Sequence, residues 1–170
     1  MVASGCGGSS KSGSTSTAAS ATAATTATTA TAPPSHAVAT LKLSTGKPLT
    51  RAEWIAKGDA ICARLKTKLA ALTVVNEQEY AHVFPQVAVY DNAEAQELSK
   101  LVPPTSKAHD WEQILSTAQH YNEYVNKVAG YAEANDFKEA APLIETATTI
   151  HQQMAAEAKQ AGFKHCSQTS

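Results

Sequence analysis

The sequence predicts an all-α protein, a four-helix up-down-up-down bundle preceded by a disordered tail rich in Ser, Thr and Ala. Three observations support this. Apolar side chains recur every three or four residues in four segments after residue 48. Short turns with helix-capping residues separate the segments, so consecutive helices are expected to run antiparallel. Ahead of them, residues 14–32 contain no charged, aromatic or large aliphatic side chain and bury too little surface to fold.

The first ten residues, MVASGCGGSS, resemble the end of a bacterial lipoprotein signal peptide. Lipoprotein signal peptidase requires small residues directly before a cysteine, here Cys6, which then carries the lipid. The basic and apolar regions that normally come first are missing, so we expect the true start of the protein to lie upstream. The resemblance implies an extracytoplasmic protein, anchored in the cell membrane through Cys6 and displayed at the cell surface. The alternative is a free thiol in a cytosolic tail.

This interpretation divides the chain into three parts. They are a signal remnant at residues 1–6, a low-complexity tether at residues 7–47 and a helical domain at residues 48–170. The tether has the composition of a plain spacer or of an O-glycosylated stalk. Near its end, Val38, Leu41 and Leu43 either pack against the domain or remain loose.

The charges argue against some partners. Three of the 14 basic residues precede residue 48 and none of the 15 acidic ones does, so residues 48–170 carry a net charge of −4. Nucleic acids and anionic membrane surfaces both require clustered Lys and Arg. We therefore expect no nucleic-acid partner, and a membrane contact only through the lipid. No run of eighteen apolar residues occurs in the sequence.

The first helix begins with a capping box, in which the Thr50 hydroxyl accepts from the Glu53 amide and the Glu53 carboxylate reaches back. Gly58 falls on its apolar stripe, which indicates the close approach of another helix. Asn76 caps the second helix, and Pro85 is expected to kink or restart it because proline lacks an amide hydrogen. The stripes of these two helices are Trp54, Ile55, Ile61, Cys62, Leu65, Leu69 and Leu72, then Tyr80, Phe84, Val87, Leu98 and Leu101.

The third helix has the most regular pattern, and the fourth repeats it. Asp136 and Glu139 form the cap of the fourth helix, and Gly162 suits a left-handed stop at its end. Phe163 is then expected to fold back onto the bundle and to carry Cys166 with it. The two stripes are Trp111, Ile114, Ala118, Tyr121, Val125, Val128 and Ala132, then Phe137, Ala140, Ile144, Ala147, His151, Met154 and Ala158.

Cys62 and Cys166 frame the helical domain, and we expect a disulfide between them. The bundle topology places the end of the fourth helix beside the first, and such a bond indicates an oxidising compartment. Closing a loop of about 100 residues is worth roughly 4 to 5 kcal/mol in the chain-entropy model. The alternative is two unrelated buried thiols in a cytosolic protein. No Cys-x-x-Cys occurs, which excludes a thioredoxin-like motif.

Several short motifs resemble those of uncharacterised secreted lipoproteins of the actinobacterial type. The motifs are Ala60-Ile61-Cys62-Ala63, the break from Leu98 through Leu101 to Pro103-Pro104, the downstream Trp111, and the terminal Gly162 to Cys166 in the pattern Gly-Phe-x-x-Cys. The resemblance covers residues 50–166. It implies an extracytoplasmic four-helix domain with one disulfide, and it brings no activity and no catalytic residues.

Two sets of side chains are candidates for binding. His151 and Met154 share the stripe of the fourth helix, where a His/Met pair inside a bundle suits haem or copper. A hydrogen-bonded core histidine is the plainer interpretation. Trp111, Tyr121, Tyr124 and Tyr131 crowd the third helix. Of these, Tyr124 and Tyr131 would form an exposed ridge for an envelope protein or a cell-wall glycan, or pack at the rim of the core.

The sequence contains no motif for hydrolysis or phosphate binding, and its one Glu-x-x-His lacks the partners of a di-iron site. We therefore expect no catalytic residue, no metal site and no cofactor. Asp59, next to Gly58, is the one carboxylate for which burial is an open question. The sequence predicts a monomeric, non-catalytic binding or structural module at the cell envelope. The alternative is a carrier of a small ligand or a metal that uses the bundle interior.

Overall fold

The computed structural model describes residues 38, 40–74 and 76–168, and these residues contain four α-helices. They are α1 at Arg51–Ala70, α2 at Glu77–Ser99, α3 at Ala108–Glu133 and α4 at Phe137–Ala161. A short 3-10 turn at Thr105–Lys107 leads into α3. The helices form the predicted up-down-up-down bundle, in which α3 packs most extensively against α4 and α2, and α1 packs against α2.

The predicted helix caps are present. Thr50 and Glu53 form the capping box of α1, where the Glu53 amide donates to the Thr50 hydroxyl at 3.3 Å. The Asn76 side chain accepts from the Glu79 amide at the start of α2, and the Asp136 side chain accepts from the Glu139 amide at the start of α4. Local chemistry therefore fixes where the helices begin, because each cap pairs an amide that has no partner inside the helix.

The expectation that Pro85 restarts α2 is wrong, because the helix runs through it without a break from Glu77 to Ser99. Gly58 is buried, but an aromatic ring and not a helix backbone approaches it. A Cβ atom built on Gly58 would lie 2.4 Å from Cε1 of Phe163. Phe163 reaches this position because Gly162 ends α4 in the left-handed conformation, with φ at 106°.

One end of the bundle is closed by an aromatic cluster, which consists of Trp54, Trp111 and Phe163. The ring centroids of Trp54 lie 5.2 Å from those of Trp111 and 4.6 Å from those of Phe163 in edge-to-face geometry. All three side chains are at most 3% exposed. The predicted disulfide between Cys62 and Cys166 is present beside the cluster and joins α1 to the segment after α4.

The chain ahead of α1 lies against the bundle from Leu41 onward. The Leu41 amide donates to Oε1 of Gln119 at 3.1 Å, and the Ser44 amide donates to the Ser99 carbonyl at 3.2 Å. Of the two alternatives for this segment, the structure therefore has the packed one for Leu41, whereas Leu43 is 39% exposed. The lipidation of Cys6, the signal remnant and most of the tether concern residues outside the described ranges. No helix in the described part of the chain is long and apolar enough to cross a membrane.

Candidate ligand-binding cavity

A cavity of about 270 Å³ lies inside the bundle, next to the aromatic cluster. All four helices and the segment after α4 contribute to its wall, which is mostly apolar. The apolar part includes the side chains of Leu65, Leu69, Leu98, Trp111, Ile114, Ala118 and Met154. The polar part includes Asp91, Glu94, Tyr121, Asn122 and His151. Lys66, His165 and Gln168 line the cavity where these residues are exposed, so its mouth lies between α1 and the C-terminal segment.

Asp91 is the most unusual residue in this wall. It lies on α2, its side chain is only 5% exposed, and its Oδ2 atom has no hydrogen-bond partner. The Tyr121 hydroxyl of α3 forms a hydrogen bond with the Asp91 carboxyl. Burial raises the pKa of Asp91 to about 7, and the bond from Tyr121 opposes that rise. The cavity therefore has a carboxyl group on its wall that changes charge near neutral pH.

Glu94 adds a second carboxyl to the same wall, three residues further along α2. Burial, together with the neighbouring charges of Asp91 and Glu97, raises the pKa of Glu94 to about 8. Neither Asp91 nor Glu94 forms an ion pair with a basic side chain within the described ranges. Two neighbouring carboxyl groups with no cation beside them have raised pKa values and therefore stay protonated to a higher pH.

Tyr121 and His151 add two aromatic rings to the polar part of the wall. Their rings stack with centroids 5.3 Å apart and planes inclined by 28°. Burial and the charge of Asp91 raise the pKa of Tyr121, so its hydroxyl remains a donor. Burial lowers the pKa of His151, which keeps the imidazole neutral. Tyr121 and His151 thus offer aromatic faces and neutral polar groups. Among the residues that line the cavity, Asp91 and Glu94 are the only acidic ones.

The segment after α4 holds the mouth of the cavity in place. Asp59, which is half-buried and not fully enclosed, accepts hydrogen bonds from the amides of Lys164 and His165 at 2.9 and 2.8 Å. The Lys66 ammonium donates to Oε1 of Gln168 at 2.8 Å. Together with the disulfide, these bonds tie the segment to α1. Asp59 is therefore a structural residue, and the deeply buried carboxylate is Asp91.

Two asparagine side chains between α2 and α3 are paired. The Asn92 amide group donates to the Ala88 carbonyl at 2.7 Å and to Oδ1 of Asn126 at 3.2 Å. The Asn126 amide group donates to the Asn122 carbonyl at 2.6 Å. Buried polar groups in proteins usually have such partners. Asp91, next in the chain to Asn92, departs from that rule on the side that faces the cavity.

The residues predicted to bind are divided by the structure into an inner and an outer group. Trp111, Tyr121, His151 and Met154 line the cavity. Tyr124 and Tyr131 do not line the cavity and are half-buried. Tyr124 packs against the cluster around Val125 and Ala129, edge-on to His120, and lies under the Lys127 ammonium at 5.0 Å. Trp111 is 1% exposed, so an external ridge cannot include it. The inner group is therefore the coherent site.

The sequence interpretation missed Asp91 and Glu94, although a signal for Asp91 was present. The stripe of α2 passes from Phe84 and Val87 to Leu98, and steps of three or four residues from Val87 lead to Asp91. A charged residue on an apolar stripe is a stronger indication of a site than a histidine there, because burying a carboxylate costs more. Glu94 had no such signal, because Ala95 continues the stripe equally well.

The side chains do not form a metal centre of the usual kind. Within the described ranges, no three His, Cys, Asp or Glu side chains are grouped so that they could hold a metal ion. His151 stacks on Tyr121, and Met154 contributes to the apolar wall, so the two are part of a cavity lining. The arrangement suits an organic molecule with one polar end.

Comparison with known proteins gives no further guide. A scan against protein-family models, a search of curated proteins and a search of solved structures found no match to this chain. The functional argument therefore rests on the cavity itself.

Proposed function

We propose that the helical domain is a non-catalytic binding module for a small molecule, which occupies the cavity inside the bundle. The single observation that carries this proposal is the side chain of Asp91. It is buried, it lines the cavity and its Oδ2 atom lacks a partner. A buried carboxyl oxygen without a partner is costly, and a ligand in the cavity would supply the hydrogen bond that the protein does not.

The size of the cavity also supports a ligand. An apolar cavity of about 150 Å³ is large enough for benzene, and this one measures about 270 Å³. Ordinary bundle cores are packed almost without voids larger than a water molecule. Ala95, Ala118 and Ala158 lie on the cavity wall, at positions where larger side chains would fill the space. Small residues there keep the cavity open.

The proposal places this module outside the cytoplasm. The disulfide between Cys62 and Cys166 supports an oxidising compartment. The lipoprotein-like motif at Cys6 would anchor the protein in the membrane, and residues 7–47 would act as the tether. A molecule arriving at the cell envelope would then be captured at the mouth of the cavity.

The membrane anchor can be tested separately from the cavity. Expressed from its natural locus, the protein is expected to incorporate a labelled fatty acid and to sediment with membranes. The Cys6→Ala variant is expected to lose both properties. A wild-type protein that carries no lipid would refute the anchor and leave the binding module untouched.

Binding to the cavity can be followed by tryptophan fluorescence, because the indole of Trp111 lines it. We expect small aromatic alcohols such as 2-phenylethanol to change this fluorescence saturably and to raise the thermal midpoint. Ala118→Leu fills part of the cavity and should weaken binding at least tenfold. Ala93→Leu, on the exposed face of α2, is the matched control and should bind like the wild type. Equal binding by both variants would contradict the proposal.

A further inference from the structure

We propose that the cavity selects a small organic cation, a protonated amine attached to an aromatic or aliphatic body. In the complex, Asp91 and Glu94 hold the ammonium group. This inference rests on the proposed function, since it assigns a ligand class to the same cavity. It is carried by three features of the wall, namely two carboxyls without a basic partner, aromatic side chains in the same wall and a mostly apolar remainder.

The first feature is a pair of acidic groups that have no basic partner within ion-pair distance. Asp91 and Glu94 are one helical turn apart on α2 and line the same cavity. Within the described ranges neither forms an ion pair, since Arg64 pairs with Glu97 and the Lys66 ammonium at the mouth donates to Gln168. An ammonium group inside the cavity would supply the close counter-ion that these carboxyls lack. A bond from a charged donor is roughly twice as strong as a neutral one.

The second feature is the aromatic surface that lines the same cavity. Trp111 and Tyr121 line the cavity, and His151 stacks on Tyr121. A cation near the face of a Trp or Tyr ring is stabilised by the ring quadrupole, more strongly when water is excluded. Carboxyls beside aromatic rings are therefore suited to an ammonium group.

The third feature favours an organic cation over an inorganic one. Most of the wall consists of aliphatic and aromatic carbon, including Leu65, Leu69 and Met154. Calcium and magnesium require six or more oxygen ligands, or a shell of retained water, which this wall cannot accommodate. An anionic ligand is disfavoured, because it would lie beside two acidic groups. A hydrocarbon body with an amine at one end matches both the apolar and the acidic parts.

Binding of a cation should be linked to the release of protons. The titratable groups that face Asp91 are Glu94 on α2, Tyr121 on α3 and His151 on α4, with Lys66 and His165 at the mouth. Burial raises the pKa of Asp91 to about 7 and that of Glu94 to about 8, so both are mostly protonated at pH 6. An ammonium ion lowers both pKa values. Each carboxyl that ionises on binding gives one proton to the solvent.

The test compares amines with alcohols of nearly the same shape. The probes are benzylamine, 2-phenylethylamine and tryptamine, each paired with its alcohol, namely benzyl alcohol, 2-phenylethanol and tryptophol. At pH 8, where such amines are charged, we expect at least one amine to bind about tenfold or more tightly than its alcohol. The preference should fall about fivefold or more at pH 6. Calorimetry in buffers of different ionisation enthalpy should detect proton release with the amine and none with the alcohol.

Two isosteric variants assign the charge. Asp91→Asn keeps the shape and a hydrogen bond to Tyr121, and it should reduce the amine preference to less than about threefold. Glu94→Gln should reduce it by a smaller factor. Both variants should still bind the alcohols saturably, and the amine preference is the ratio of amine to alcohol affinity within each variant, so a change in alcohol affinity does not enter it. Glu112→Gln, at an exposed position on α3, is the control and should change nothing.

The outcomes separate this inference from the proposed function. If alcohols bind and amines bind no better, the cation inference is wrong and the binding module stands. If a neutral Asp91→Asn protein keeps the full preference, the carboxyls do not hold the amine and the inference also fails. If no probe of either series binds to the wild type, the proposed function fails, and the inference falls with it.

Discussion

The aromatic cluster and the cavity share Trp111 and Phe163 as a common wall, yet they are packed in opposite ways. In the cluster, the rings of Trp54 and Phe163 are at most 3% exposed, and Gly58 has no room for even a methyl group, although the indole nitrogens of Trp54 and Trp111 lack hydrogen-bond partners. In the cavity, about 270 Å³ is left open and the carboxyl of Asp91 lacks a partner. The same four helices therefore build one region that contributes stability and, directly beside it, one that gives stability up.

The difference shows how a small bundle can keep an open interior. Dense packing of aromatic rings and a covalent bond secure one end, so that unfavourable features in the next layer are tolerated. Such unfavourable features concentrate at functional sites in many proteins. If this interpretation is correct, substitutions in the cluster should destabilise the protein, whereas substitutions that fill or neutralise the cavity should stabilise it or leave its stability unchanged.

The largest expected effect comes from the disulfide, which secures the packed end. Replacing both Cys62 and Cys166 with Ser should lower the free energy of unfolding by about 4 kcal/mol, since the bond links residues 104 positions apart. Urea denaturation measures this change. Cys6→Ala in both proteins removes the third thiol and serves as the matched background. A loss below about 1 kcal/mol would mean that the aromatic cluster holds the C-terminal segment without the bond.

The second prediction concerns the cavity, where a substitution should raise the free energy of unfolding. Burial raises the pKa of Asp91 to about 7 from its ordinary value near 4, so the folded state binds more protons than the unfolded state between these values. The stability that Asp91 contributes is therefore complete below pH 4 and is lost as the pH rises to 7. Asp91→Asn should be more stable than the wild type by about 1 to 3 kcal/mol at pH 8.

The pH dependence is the control for this prediction. At pH 4, where the wild-type carboxyl is protonated, Asp91→Asn and the wild type should have nearly equal free energies of unfolding. Glu94→Gln should show the same trend, shifted upward because the pKa of Glu94 is raised to about 8. A difference between Asp91→Asn and the wild type that does not vary from pH 4 to pH 8 would show that Asp91 does not titrate in this range.

The sequence was sufficient to predict the bundle and its covalent closure. Caps at Thr50, Asn76 and Asp136 are local signals, and amphipathic periodicity identifies four helices whatever their partners. The pairing of Cys62 with Cys166 followed from the bundle topology, which brings the end of α4 to α1. These features depend on short segments or on topology, and the structure confirms them.

The cavity could not be predicted in the same way, because open space is a property of all the walls together. His151 with Met154, and Trp111 with Tyr121, were identified as two separate sets, but their common enclosure depends on how the four helices are rotated. Pro85 shows the same limit, since α2 continues through a residue that usually interrupts helices. The approach of Phe163 to Gly58 likewise depends on where the chain turns after Gly162.

A matched pair of substitutions compares the two regions directly. Gly58→Ala adds one carbon, which would lie 2.4 Å from the ring of Phe163, so we expect a loss of about 1 to 2 kcal/mol despite the better helix propensity of Ala. Ala118→Leu adds three carbons to the cavity wall and should change the free energy of unfolding by less than about 1 kcal/mol, or increase it. Thermal and urea unfolding of both variants measure the contrast. If Ala118→Leu lowers the free energy of unfolding more than Gly58→Ala does, the cavity is not open space.

The smallest expected effect belongs to His151, and its direction distinguishes it from the acids. Burial lowers the pKa of His151, so the unfolded state binds more protons than the folded state just below pH 6.5. The stability that His151 contributes is present above that pH and is lost as the pH falls. His151→Gln, which stays neutral, should therefore gain less than about 1 kcal/mol over the wild type at pH 5 and nothing at pH 8. The difference between variant and wild type thus grows toward low pH for His151 and toward high pH for Asp91. Difference curves that slope the same way would contradict the assignment of one buried base and two buried acids to a single cavity.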